Sequence, residues 1–136
     1  MAFDTHLLQP NLPPIPKRIL YIEDDFENRR LIRKILTARG YIMLEAENAI
    51  AGIESAIIDQ PDLILMDINL PGIDGIRATV ALKANANTRH IPIVALTASA
   101  MRGDRERIMD SGCDEYLPKP ISIPQLLETL TRVLQG

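Results

Sequence analysis

The 136 residues carry 15 Lys and Arg against 18 Asp and Glu, a net charge of −3, with 46% hydrophobic residues and a single cysteine. That length suits one domain able to bury a core without disulfides or structural metals, and the lone Cys113 excludes an internal disulfide and fits a reducing, cytoplasmic setting. No apolar run approaches the roughly 18 residues of a membrane helix, and mild acidity without a long basic run argues against membrane insertion and against direct nucleic-acid binding.

Pro10, Pro13, Pro14 and Pro16 crowd the start, so residues 1–16 read as an extended tail and 17–136 as the folded domain. His6 in that tail has no evident partner. From Lys17 onward, short runs rich in Ile, Leu and Val alternate with helical spacing. The first run, 18–22, predicts a strand. In the helix after it, Arg29, Arg30, Arg33 and Lys34 lie between Leu31, Ile32, Ile35 and Leu36 and read as the solvated face of an amphipathic helix. Gly40 stands where a helix ends in a left-handed residue. A strand follows at 41–44, then a second helix closed by Pro61, and strands at 63–66, 91–96 and 115–117. The last helix aligns Leu126, Leu127, Leu130, Val133 and Leu134 on one face, with Ser122 as its N-cap. Met43 and Met66 are expected in the core and His90 on the surface.

Five strands alternating with five helices predict an α/β fold, a doubly wound parallel sheet covered on both faces. Ligands of such sheets bind beyond the carboxyl ends of the strands. There the sequence places Glu23, Asp24 and Asp25 after the first strand, Asp67 after the third, Thr97 after the fourth and Lys119 after the fifth. Singly, each has a plain structural explanation: an aspartate or Thr97 caps a helix, a lysine is solvated. Together they form a chemical set. Three carboxylates close together suit a hard divalent cation such as Mg²⁺, and Asp67 is the natural nucleophile for an acyl phosphate. Thr97 can hydrogen-bond a phosphoryl oxygen and Lys119 can neutralise its charge. Asp25 reads as a helix-start residue rather than a ligand.

The segments Ile19-Leu20-Tyr21-Ile22-Glu23-Asp24, Leu63-Ile64-Leu65-Met66-Asp67-Ile68-Asn69-Leu70-Pro71-Gly72, Ala95-Leu96-Thr97-Ala98 and Pro118-Lys119-Pro120 resemble the receiver domain of two-component response regulators. The resemblance runs from about Lys17 to Leu134. It is strongest to the single-domain, DivK-type members, through residues 61–68, Gly103-Asp104, Gly112-Cys113 and 119–122. It implies a flavodoxin-like strand order, 2-1-3-4-5. By the same resemblance Asp67 accepts a phosphoryl group from a sensor histidine kinase or histidine phosphotransfer protein. Mg²⁺ is then held by Glu23, Asp24, Asp67 and the Asn69 backbone carbonyl. Thr97 and Tyr116 are implied as the switch pair, and the Lys119–Pro120 bond as cis. The acidic pair departs mildly from the family's commonest form, being Glu-Asp rather than Asp-Asp. Ser99 and Asn69 are expected to tune the lifetime of the phosphate.

Because little follows the fifth helix, output is expected through protein contact at the helix 4, strand 5 and helix 5 face, not through an attached effector. The alternatives are a receiver module from a larger hybrid kinase or multidomain regulator, and a haloacid-dehalogenase-like Mg²⁺-dependent phosphatase. The latter carries its nucleophile in an Asp-x-Asp pattern on the first strand, which Glu23-Asp24-Asp25-Phe26-Glu27 lacks. Receiver chemistry is expected to be self-phosphorylation and self-dephosphorylation, not turnover of a substrate.

Overall fold

The computed structural model describes residues 15–98 and 102–135. The expected tail therefore lies outside the described residues except for positions 15 and 16, and so do His6 and Ser99. Among the described residues the strands are β1 (Arg18–Ile22), β2 (Ile42–Ala46), β3 (Leu63–Asp67), β4 (Ile93–Thr97) and β5 (Glu115–Pro118). The helices are α1 (Phe26–Ala38), α2 (Ala49–Asp59), α3 (Gly75–Ala84), α4 (Arg102–Asp110) and α5 (Ile123–Gln135). All strands pair in parallel, in the order β2-β1-β3-β4-β5. This is the doubly wound α/β sheet that the alternating pattern predicts.

Strand residues are apolar on both sides because both sides are covered, and successive side chains divide between two cores. Ile19, Tyr21, Leu63 and Leu65 pack with Ile32 and Leu36 of α1 and Leu126 and Leu130 of α5. Leu20, Ile22, Ile64 and Met66 pack with Ala56 of α2, Ala78 and Leu82 of α3 and Ile108 of α4. Met43 is buried with the first set, as expected, and His90 is exposed.

The helix boundaries follow local chemistry. Asp25 caps α1, its carboxylate accepting from the N–H groups of Glu27 and Asn28 at 2.8 and 3.1 Å. Gly40 has φ +85° after α1, the left-handed conformation expected there. The Ser122 hydroxyl accepts from the Gln125 N–H at 3.4 Å at the start of α5.

Two expectations need correction. β1 keeps its predicted limits, while each of the other strands differs by one or two residues at one or both ends: β2 begins at Ile42 because the Tyr41 N–H is taken by the Leu36 carbonyl at the end of α1. Arg29 does not belong to the solvated face of α1. Its guanidinium turns back and donates to the Glu23 carbonyl at 2.6 Å, with Glu45 3.7 Å away. Arg30, Arg33 and Lys34 are exposed as predicted, Arg33 pairing with Glu45.

Candidate functional site

Register assembles the site. Ile22 stands opposite Met66, so Glu23 follows β1 beside Asp67 at the end of β3. Asp67 faces Leu96, and Thr97 faces Pro118, so Thr97 and Lys119 come to the same edge. Hydrogen bonds just past the strands hold that edge: Glu23 N–H to the Ala46 carbonyl, Ile68 N–H to Leu96 and Lys119 N–H to Thr97.

Oxygens of Glu23, Asp24 and Asp67 all lie within 4.8 Å of one another. Glu23 and Asp67 are buried and Asp24 is exposed. Lys119 Nζ donates to Asp67 Oδ1 at 3.0 Å and stands 3.7 Å from Glu23 Oε1. The Asn69 N–H also donates to Asp67 Oδ1, at 3.0 Å. Thr97 is buried at the end of β4. Tyr116 is half-buried on β5, opposite Ala95, so by strand alternation it shares a face of the sheet with Thr97. The Arg105 guanidinium of α4 lies 5.4 Å from its ring centroid. The Lys119–Pro120 bond is cis. The geometry thus brings Glu23, Asp24, Asp67 and Lys119 together, with Thr97 at the end of the neighbouring strand.

Two contacts were not foreseen. Asn28 Nδ2 donates to Glu23 Oε1 at 2.7 Å, and Arg29 holds the Glu23 carbonyl. The available signal was an asparagine in the first turn of a helix, a residue that gains little there unless its side chain has a partner.

The two buried carboxylates titrate apart. Burial and then the interaction with Asp67 push Glu23 up to about 7. Burial alone would raise Asp67 as well, but the interaction with Glu23 and the hydrogen bonds from Lys119 and the Asn69 N–H outweigh it and hold the carboxyl below the ordinary range. Asp67 is therefore ionised at neutral pH. Glu23 Oε2 is buried with no hydrogen-bond partner among the described residues. An orphaned carboxylate oxygen beside two further carboxylates is the donor set that a hard oxygen-seeking cation satisfies.

A stability consequence follows with a defined sign. With its pKa raised on folding, Glu23 costs nothing below about pH 4.5, where both states are protonated, and costs most above about pH 7. Asp67 acts oppositely, favouring the fold above its ordinary range and losing that contribution as pH falls through its lowered value. In EDTA the melting temperature is accordingly expected to decline between pH 5 and pH 8. Glu23→Gln, which keeps the neutral form, should flatten the decline, and millimolar Mg²⁺ should reverse it. A melting temperature that climbs over that range in EDTA, with Glu23→Gln no different, contradicts this electrostatic picture.

A five-stranded parallel sheet with an acidic cluster, a hydroxyl and a lysine gathered at its carboxyl edge defines a receiver-type signalling module. The chain belongs to the response regulator receiver domain family, whose model matches residues 19–131. It is 42% identical over 120 residues to the polar-differentiation response regulator DivK of Brucella anthropi, covering 88% of this chain and 98% of that protein. The DivK of Brucella ovis is 42% identical over 118 residues, covering 87% and 96%. Among solved structures, the receiver domain of a Pseudomonas aeruginosa sensor histidine kinase, with magnesium coordinated in its active site cleft, is similar with a TM-score of 0.83. It is 37% identical, covering 90% of this chain and all of that one. The chemotaxis protein CheY4 of Vibrio cholerae shares the fold, with a TM-score of 0.82 at 24% identity, covering 88% and 99%. The protein is thus a DivK-like response regulator receiver domain. Its acidic cluster fits the phospho-accepting site, and no helix among the described residues is long and apolar enough to cross a membrane.

Proposed function

We propose that the protein takes a phosphoryl group onto Asp67 from a sensor histidine kinase or histidine phosphotransfer protein, and that the modified site reshapes the α4–β5–α5 face for a protein partner. The observation that carries this reading is the convergence of Asp67 with Lys119 at 3.0 Å and with Glu23 and Asp24 at the open edge of the sheet. Lys119 and the Asn69 N–H both hold Oδ1, which orients the carboxylate and leaves Oδ2 for attack on phosphorus. In transfer, the Asp67 oxygen forms the new P–O bond as the P–N bond of the donor phosphohistidine breaks and the imidazole leaves. Lys119 offsets the charge of the transferring group, and the Thr97 hydroxyl donates to one of its oxygens.

Glu23, Asp24, Asp67 and the Asn69 carbonyl are the groups to hold Mg²⁺. When bound, the ion supplies charge neutralisation to the phosphoryl oxygens and to the clustered carboxylates. Phosphorylation adds roughly two negative charges at the site. As Thr97 moves towards them, space opens on the face it shares with Tyr116, and the ring turns inward to fill it. The outer surface of α4, β5 and α5 then differs between the two states, which is what a state-selective partner reads.

The reading is tested with a small phosphodonor. Acetyl phosphate with Mg²⁺ should add one phosphoryl group by mass, acid-stable and base-labile, with none added in EDTA. Amide NMR of the phosphorylated protein should show shifts running from residue 97 to residue 120. Mass gain with no shifts in that segment would overturn the output surface, and no Mg²⁺-dependent gain would overturn phospho-acceptance itself.

A further inference from the structure

We infer that Asn28 is a positioning residue that sets the cation preference of the acidic site, by leaving Glu23 a single free oxygen. The inference rests on the reading of Glu23, Asp24 and Asp67 as the Mg²⁺ site. Asn28 Nδ2 donates to Glu23 Oε1 at 2.7 Å, and Lys119 Nζ stands 3.7 Å from the same oxygen. Arg29, the next residue, donates to the Glu23 main-chain carbonyl at 2.6 Å. The first turn of α1 therefore grips Glu23 twice, once by backbone and once by side chain. That turn is itself fixed, because the Asp25 carboxylate accepts from the N–H groups of Glu27 and Asn28. What remains is Oε2, buried and with no hydrogen-bond partner among the described residues.

The consequence lies in how hard cations use carboxylates. Ca²⁺ gathers about 6–8 oxygens and readily takes both oxygens of one carboxylate, whereas Mg²⁺ demands octahedral geometry, keeps several waters and uses few protein oxygens. A glutamate is one methylene longer than an aspartate, so left alone it has the reach and freedom to swing both oxygens onto a larger ion. With Oε1 occupied by the Asn28 amide, Glu23 offers one oxygen from one direction. That arrangement suits the smaller ion and denies the larger one a bidentate ligand. Asn28 thus makes a glutamate serve where a shorter carboxylate would need no such restraint.

Calorimetric titration of the full chain with MgCl₂ and with CaCl₂ tests this, comparing wild type, Asn28→Ala, Glu23→Asp and the double variant. Asn28→Ala is expected to weaken Mg²⁺ binding about tenfold, the scale of losing a hydrogen bond behind a metal ligand, and to narrow the preference for Mg²⁺ over Ca²⁺. Alanine suits an exposed helical position and leaves the Asp25 cap in place, so folding should be retained. In the Glu23→Asp background the carboxylate no longer reaches Asn28, and adding Asn28→Ala should change Mg²⁺ affinity by less than about twofold. An unchanged Mg²⁺ to Ca²⁺ ratio in Asn28→Ala, or an equal loss in both backgrounds, overturns the inference while the Mg²⁺ site stands. A wild-type protein that binds no Mg²⁺ overturns both.

Discussion

Asp67→Asn is expected to abolish phosphorylation by acetyl phosphate while leaving the fold intact. The carboxamide nearly matches the carboxylate in size and can still accept from Lys119 Nζ through its oxygen, so the edge of the sheet keeps its shape. It lacks the negative oxygen that attacks phosphorus, and neighbouring carboxylates are poor substitutes. Glu23 is tied by Asn28 and held protonated until about pH 7, and Asp24 is exposed, whereas Lys119 and the Asn69 N–H orient Asp67. The loss should therefore be essentially complete. The substitution also removes a charge from a crowded acidic pair. Glu23 should then ionise more easily, and the decline in stability with rising pH should be shallower in EDTA. Mass measurement reads the first effect and thermal melts across pH read the second. A haloacid-dehalogenase-like phosphatase would instead retain turnover of a small phosphate ester in this variant.

Gly75→Ala is expected to damage stability and site together. Gly75 opens α3, after the Asp74 cap, and a Cβ there would sit 2.2 Å from the Asp67 carbonyl oxygen and 2.7 Å from Ile68 Cα. Both obstacles are main chain, so no side chain can turn away to make room. Relief requires α3 or the Asp67–Ile68 backbone to move, at a cost of about 1–3 kcal/mol, which corresponds to roughly 3–15 °C in melting temperature. The displaced backbone carries Asp67 and Asn69, so phosphorylation should fall as well. Gly103 is the contrast, since nothing lies within 4 Å of a Cβ built there. Gly103→Ala should be neutral or stabilising by up to about 1 kcal/mol, because α4 gains a better helix former. Thermal melts of the two variants, with phosphorylation yield beside them, separate crowding at the site from the general effect of losing a glycine.

These expectations rest on features that differ in how far the sequence disclosed them. The strands were legible because a sheet covered on both faces demands continuous apolar runs, and Leu63–Asp67 and Ile93–Thr97 are buried throughout. The site was legible because it sits where those runs stop, so Asp67, Thr97 and Lys119 could be placed without side-chain detail. Strand limits were less so. Whether Tyr41 belongs to β2 depends on which carbonyl its N–H reaches, and that carbonyl belongs to the end of α1. The supporting contacts were least legible. Helical periodicity put Arg29 with its basic neighbours, yet the long side chain turns back across the strand–helix junction to a main-chain carbonyl, which no pattern of residue types records. Asn28 acts through the same kind of tertiary contact. Its partner lies five positions back, around the turn that leads from β1 into α1.

The most direct test of the account is to locate the phosphoryl group. Treating the phosphorylated protein with borohydride cleaves an acyl phosphate and leaves homoserine in place of the modified aspartate, which peptide mass spectrometry can assign. The account predicts homoserine at position 67 alone, formed only when Mg²⁺ is present during phosphorylation. Homoserine at position 24 or 25, the reduced product of a glutamyl phosphate at Glu23, or an equal yield of phosphoprotein from Asp67→Asn would contradict it.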